Sequence, residues 1–71
     1  MKLNFRKLSI RIIEDFGTQS LFAERMGLSE RSLSLKLNSK REFKTSEILK
    51  ACDLLDIPRE DIPSYFFCIV S

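Results

Sequence analysis

The twenty residues Gln19-Ser20-Leu21-Phe22-Ala23-Glu24-Arg25-Met26-Gly27-Leu28-Ser29-Glu30-Arg31-Ser32-Leu33-Ser34-Leu35-Lys36-Leu37-Asn38 decide how this chain folds. They divide into two amphipathic segments around a Met-Gly-Leu-Ser turn. The first, Gln19 to Met26, turns Phe22, Ala23 and Met26 inward, and Thr18 stands where an N-cap hydroxyl would accept from an early helical amide. Gly27 follows, a residue that takes positive φ without a side-chain clash. Leu28 re-enters the core and Ser29 offers a second N-cap. The second segment, Glu30 to Leu37, is anchored by Leu33 and Leu37, four residues apart, and leaves Glu30, Arg31, Ser34 and Leu35 outside. Ala23 is small where two helices must approach closely, and Leu33 points back against the first helix. Two helices joined by a tight glycine turn make a helix-turn-helix candidate, whose second helix would enter the major groove.

Working outward, the pattern predicts a helix from about Phe5 to Phe16. Leu8, Ile12 and Phe16 form its stripe, Phe5 and Ile13 widen it, and Arg6, Lys7, Arg11, Glu14 and Asp15 take the outer face. Gly17 ends it. Beyond Asn38 comes a polar, basic loop through Arg41, and Phe43 is expected to fold back over the core. A fourth helix starts after Thr45 or Ser46 and reaches Leu54 or Leu55, with Ile48, Leu49, Cys52 and Leu55 on its apolar side. Residues 56–63 read as one short helical turn between Pro58 and Pro63, with Pro63 unable to extend it far. Tyr65 to Val70 has no helical period and reads as a strand or a docked extended tail. The expectation is one all-α domain over 1–71, a bundle of four to five helices, with 64–71 a hydrophobic tail.

The totals narrow the function. Seventy-one residues at 44% hydrophobic are enough for one small domain and too apolar for a disordered tail. Net charge is only +2, but it is unevenly placed. Residues 1–50 hold eleven Lys/Arg against six Asp/Glu, and residues 51–71 hold one against four, so the basic side belongs to the front of the chain. There is no histidine, and the two cysteines, Cys52 and Cys68, fall short of the four ligands structural zinc requires. The acid pairs Glu14-Asp15 and Glu60-Asp61 are sequence neighbours, which point to different helix faces. Neither glycine lies in a phosphate-binding loop. No catalytic constellation, metal or cofactor is expected. With no secretion signal and no run near the roughly 20 apolar residues of a membrane span, a cytoplasmic protein without a membrane partner is the default.

The segment 19–38 resembles the helix-turn-helix of the lambda-repressor/Cro-like family. The chain as a whole resembles small phage-encoded repressor-like proteins of Gram-positive bacteria, through FGTQ (16–19), FA (22–23), GLS (27–29), LSLKLN (33–38), REF (41–43), EI (47–48), LLDIP (54–58) and YFF (65–67). That resemblance implies a lambda-repressor-like bundle, DNA as ligand, often a palindromic operator, and transcriptional control in phage or prophage. Gln19 matches a glutamine that touches phosphate and braces the reading helix. Ala23, Gly27 and Leu33 match the structural positions. Ser29, Glu30 and Arg31 match the start of the reading helix, Ser34 a further groove-facing position, and Asn38 and Lys40 the backbone-contacting loop. The chain departs from the pattern at Lys36, where a hydrophobic or small residue is usual, and Leu37 takes over the anchoring.

Side-chain chemistry agrees with those roles. Arg31 can offer two parallel donors to guanine O6 and N7, Glu30 can accept from a cytosine amino group, and Ser34 is short enough to let the helix sit deep. Gln19, Ser29, Lys36, Asn38, Lys40, Arg41 and Lys44 are the expected backbone contacts, with Arg6 and Lys7 added if the first helix flanks the groove. Against each stands the bland reading, an ordinary solvated surface charge. Phe5, Phe16 and Phe22 look internal and the aromatic residues outside the bundle cluster at the acidic tail, which does not suit single-stranded RNA. The alternative to a DNA-binding regulator is a protein-interaction or antitoxin-like module of the same fold. The tail either docks on its own bundle or places Tyr65, Phe66, Phe67 and Ile69 in a homodimer interface. A compact palindrome would need the two reading helices about 34–36 Å apart.

Overall fold

Capping side chains and left-handed residues set the boundaries between helices. In the computed structural model, which describes residues 3–69, α1 (Arg6–Phe16) stops at Gly17, whose φ of 83° turns the chain. Thr18 Oγ1 accepts from the Leu21 N–H at 3.2 Å and opens α2 (Gln19–Met26). Gly27, at φ 75°, closes it. The Leu28 N–H reaches Ala23 O and the Gly27 N–H reaches Glu24 O, the paired bonds of a Schellman turn. Ser29 Oγ accepts from the Ser32 N–H at 3.1 Å and opens α3 (Glu30–Leu37). After a loop, α4 (Thr45–Leu55) ends at Asp56, which holds φ 55° although it is not a glycine. A single 3₁₀ turn (Arg59–Asp61) leads directly into α5 (Ile62–Phe66).

The described residues form an all-α bundle of five helices. Its core is built from Leu8 and Ile12 of α1, Phe22, Ala23 and Met26 of α2, Leu33 and Leu37 of α3, Ala51, Cys52 and Leu55 of α4, and Tyr65 and Phe66 of α5. Phe43 folds back as expected, edge-on to both Phe5 and Phe66 at centroid distances of 5.3 Å. Arg11 straps α1 to the other side of the bundle. Its guanidinium donates to the Leu55 carbonyl at 2.6 Å and to Tyr65 Oη at 3.0 Å, so the C-terminal end of α4 meets a cation.

Two expectations are corrected. Ile13 does not widen the buried stripe: it is 49% exposed, and Ile10 is 52% exposed. The tail is not one extended segment. Pro63 lies in the first turn of α5, where its missing N–H costs nothing, so it begins a helix instead of ending one. Tyr65 and Phe66 therefore finish α5 and are buried. Only Phe67 to Ile69 runs on without helix, with Leu3 and Ile69 in an antiparallel bridge and the Asn4 N–H donating to Cys68 O at 2.6 Å. Val70 lies outside the described residues.

One ionic contact ties α3 to α4. Lys36 Nζ lies 2.6 Å from Glu47 Oε1, and the two side chains are only 7% and 14% exposed. Glu47 also accepts from the Lys44 N–H at 2.9 Å, capping the first turn of its own helix. Burial pushes the Glu47 carboxyl up, but the Lys36 and Lys44 hydrogen bonds and charges outweigh it and hold the group below its ordinary value of 4.5. The carboxylate therefore contributes stability above about pH 4.5, and that contribution disappears as pH falls through the lower native value. Lys36→Met, which leaves Glu47 unpaired, should cost about 3 kcal/mol in urea unfolding at pH 7. Adding Glu47→Gln should recover part of that loss and flatten the dependence of stability on acid. A single variant as stable as the parent would show that the pair is slack.

Candidate nucleic-acid interface

The surface that the sequence singles out is the outer side of α3 with the loop that follows. Glu30 and Arg31 are exposed in its first turn, and neither is in an ion pair among the described residues. Glu30 lies at the positive end of the helix dipole, which suits a carboxylate. Ser34 and Leu35 are half-buried. Lys40 and Arg41 both direct main-chain N–H groups at Leu35 O, at 2.8 and 3.3 Å, which pins the loop while their side chains stay exposed. Lys44 is exposed just before α4, and Gln19 is half-buried at the start of α2.

Three of the expected backbone contacts turn out to be engaged elsewhere, to different degrees. Lys36 leaves the set of free cations, because its ammonium is turned inward, paired with Glu47 and 3.3 Å from Glu42 O. The charge of this lysine is met by a carboxylate from α4. The Ser29 hydroxyl accepts the α3 cap bond and donates to Ser32 Oγ at 3.0 Å. Asn38 directs its Nδ2 back to Ser34 O at 2.8 Å and toward Ser34 Oγ at 3.4 Å, closing the C-terminal turn of α3. Of the residues assigned a structural role, Ala23, Leu33 and Leu37 are buried and Gly27 lies in the turn. Of the tail residues assigned to an interface, Tyr65 and Phe66 are corrected to core, while Phe67 and Ile69 are exposed.

Around α3 the structure adds neighbours that sequence spacing does not show. Arg6 and Ser9 of α1 share a groove of about 380 Å³ with Leu37, Asn38 and Ser39, so the start of α1 borders the end of α3. Lys7 points the other way, its ammonium 4.6 Å from the centre of the Tyr65 ring. Lys50 of α4 lies beside the α2–α3 turn, 3.9 Å from where a β-carbon on Gly27 would sit. Nothing local to residue 50 signals this, because it follows from how α4 packs on α2. Among the described residues no three His, Cys, Asp or Glu side chains converge on one point, and no helix is long and apolar enough to cross a membrane.

A small all-helical domain with a free, mixed-charge helix at one side is the class this architecture defines. The chain belongs to a family of proteins of unknown function (DUF739), whose model matches residues 1–68. It is similar to the modulator of repression (MOR) of the temperate bacteriophage TP901-1 from Lactococcus lactis, known from a solution structure. Sequence identity is 51%, the match covers 94% of this chain and 90% of that one, and the TM-score is 0.81. No curated protein matches the sequence.

Gly27→Val isolates the backbone requirement at the turn. The nearest atom to the new β-carbon is the flexible end of Lys50, so the cost is conformational and not steric. A branched residue at φ 75° should lower unfolding free energy by more than about 1 kcal/mol, and Gly27→Asn by clearly less. Equal losses in urea unfolding would place the constraint in packing instead.

Proposed function

We propose that this chain is a non-enzymatic, phage-type regulator of repression, that its α2–α3 unit is a helix-turn-helix of the lambda-repressor/Cro-like kind, and that its ligand is double-stranded DNA. The observation carrying the proposal is the free first turn of α3, Glu30 and Arg31, held out by two capped helices with a left-handed glycine between them. The likeness to a phage modulator of repression supports the regulatory setting. In this reading Arg31 donates to a guanine edge, Glu30 accepts from a cytosine amino group, and Ser34 lets the helix approach. Lys40, Arg41 and Lys44 contact phosphates, with Gln19 and Asn38 beside them.

A second reading has its own observation. With Lys36 withdrawn, exposed Arg31, Lys40, Arg41 and Lys44 face the acids Glu30 and Glu42, a thin cationic surface for tight DNA binding. A face carrying both signs and a half-buried leucine also fits a protein of the repression machinery.

Selection of bound duplexes from a random pool, followed by titration at several salt concentrations, separates the two. DNA reading predicts a consensus that Arg31→Ala weakens by about 1–3 kcal/mol at one guanine-containing step. Lys40→Ala should weaken all duplexes alike and lower the salt slope by about one unit. No enrichment at low salt, together with an Arg31-dependent complex with a protein partner, would replace DNA by protein as the ligand.

A further inference from the structure

α1 carries an apolar face that its own bundle does not use. Ile10 and Ile13 are among the few large apolar side chains left exposed, at 52% and 49%, and they lie opposite the buried Leu8 and Ile12. Arg6, Ile10 and Glu14 are spaced four residues apart, so they lie along one ridge of the helix. Arg6 and Glu14 are both exposed, and neither is in an ion pair among the described residues.

This ridge is self-complementary. If a second copy lies antiparallel with Ile10 on the two-fold axis, each Arg6 falls opposite the other chain's Glu14, and Ile10 meets its counterpart between the two charge pairs, with one Ile13 to either side of it. A two-fold contact demands this pattern: opposite charges at equal distances either side of an apolar centre.

We propose that α1 is a homodimer interface, with a second copy of this chain as the occupant of the Arg6–Ile10–Glu14 face. The surface is small. Eleven residues of helix span roughly 16 Å, well short of the 1,200–2,000 Å² total of a standard interface. The association is therefore weak, with a dissociation constant between about 10 µM and 1 mM. This inference does not depend on what α3 binds.

The test is sedimentation equilibrium of the full chain across that concentration range. Arg6→Glu and Glu14→Arg each place like charges across the axis. Both also match the helix dipole, so the fold is expected to survive, which circular dichroism checks. Each variant alone should associate at least about tenfold more weakly than the parent. An equimolar mixture should recover dimer, because the two ridge carboxylates of one chain then face the two ridge guanidinium groups of the other. Ile10→Gln should also lose association while remaining folded. A parent monomeric throughout the range, single variants that associate like the parent, or a mixture that fails to recover dimer would overturn the proposal.

Discussion

The buried Lys36–Glu47 pair is the constraint from which the exposed surface takes its shape. α3 has eight residues, too few to be stable as a helix in water by itself. Leu33 and Leu37 hold it against the core, and the Lys36 ammonium ties it to α4. Burying two charges is costly unless their remaining hydrogen-bonding capacity is met. Here Lys36 also donates to Glu42 O, and Glu47 also accepts the Lys44 N–H. The same contacts clasp the C-terminal end of the 38–44 loop, with the Phe43 ring 5.9 Å from the ammonium. Loop position, α4 capping and α3 rotation are thus set together, and the directions of Arg31, Lys40 and Lys44 follow from them.

What can be read along the chain is whatever is encoded within one turn of itself. Thr18, Gly27 and Ser29 act on neighbours three or four residues away, and the α2 and α3 boundaries are those their positions predict. The all-α class and the buried Ala23, Leu33 and Leu37 follow from period alone. Charge alone sets Lys36 among the phosphate contacts, whereas its partner stands eleven residues on, in another helix. Its place beside the Leu33–Leu37 stripe is the signal that marks it as different. Tyr65 and Phe66 read as an extended tail only if the preceding Pro63 is a stop, and a proline in a first turn is a start. The candidate site is legible in the sequence as a list of exposed polar residues on one helix. Which hydroxyl, amide or ammonium is already committed to the fold is not legible there, since that depends on distances between elements.

Those commitments also change the chemistry of the surface. Ser29, Asn38 and Lys36 contribute to holding α3 in place, and each loses some freedom to meet a ligand. What remains free is Arg31 and Glu30 on a stiff first turn, and a basic loop pinned by its main chain. Specific recognition needs a few side chains held in fixed positions more than it needs many charges. Non-specific affinity for a polyanion needs the charges. The folded surface is better supplied with the first than with the second.

The rest of the molecule gives α1 a different position from α3. Arg11 and Lys7 turn toward α5 and the end of α4, while Leu8 and Ile12 fill the core, so two sides of α1 are occupied by its own bundle. The bridge between Leu3 and Ile69 and the Ser39 hydroxyl bond to Leu3 O fasten the segment leading into α1 to both the tail and the end of α3. Arg6 begins the helix just beyond that fastening, bordering the groove at the end of α3. A contact made on the outer ridge of α1 would therefore load a helix fixed at its start to the element that ends α3. The two exposed surfaces are connected through residues 3–6 and 37–39.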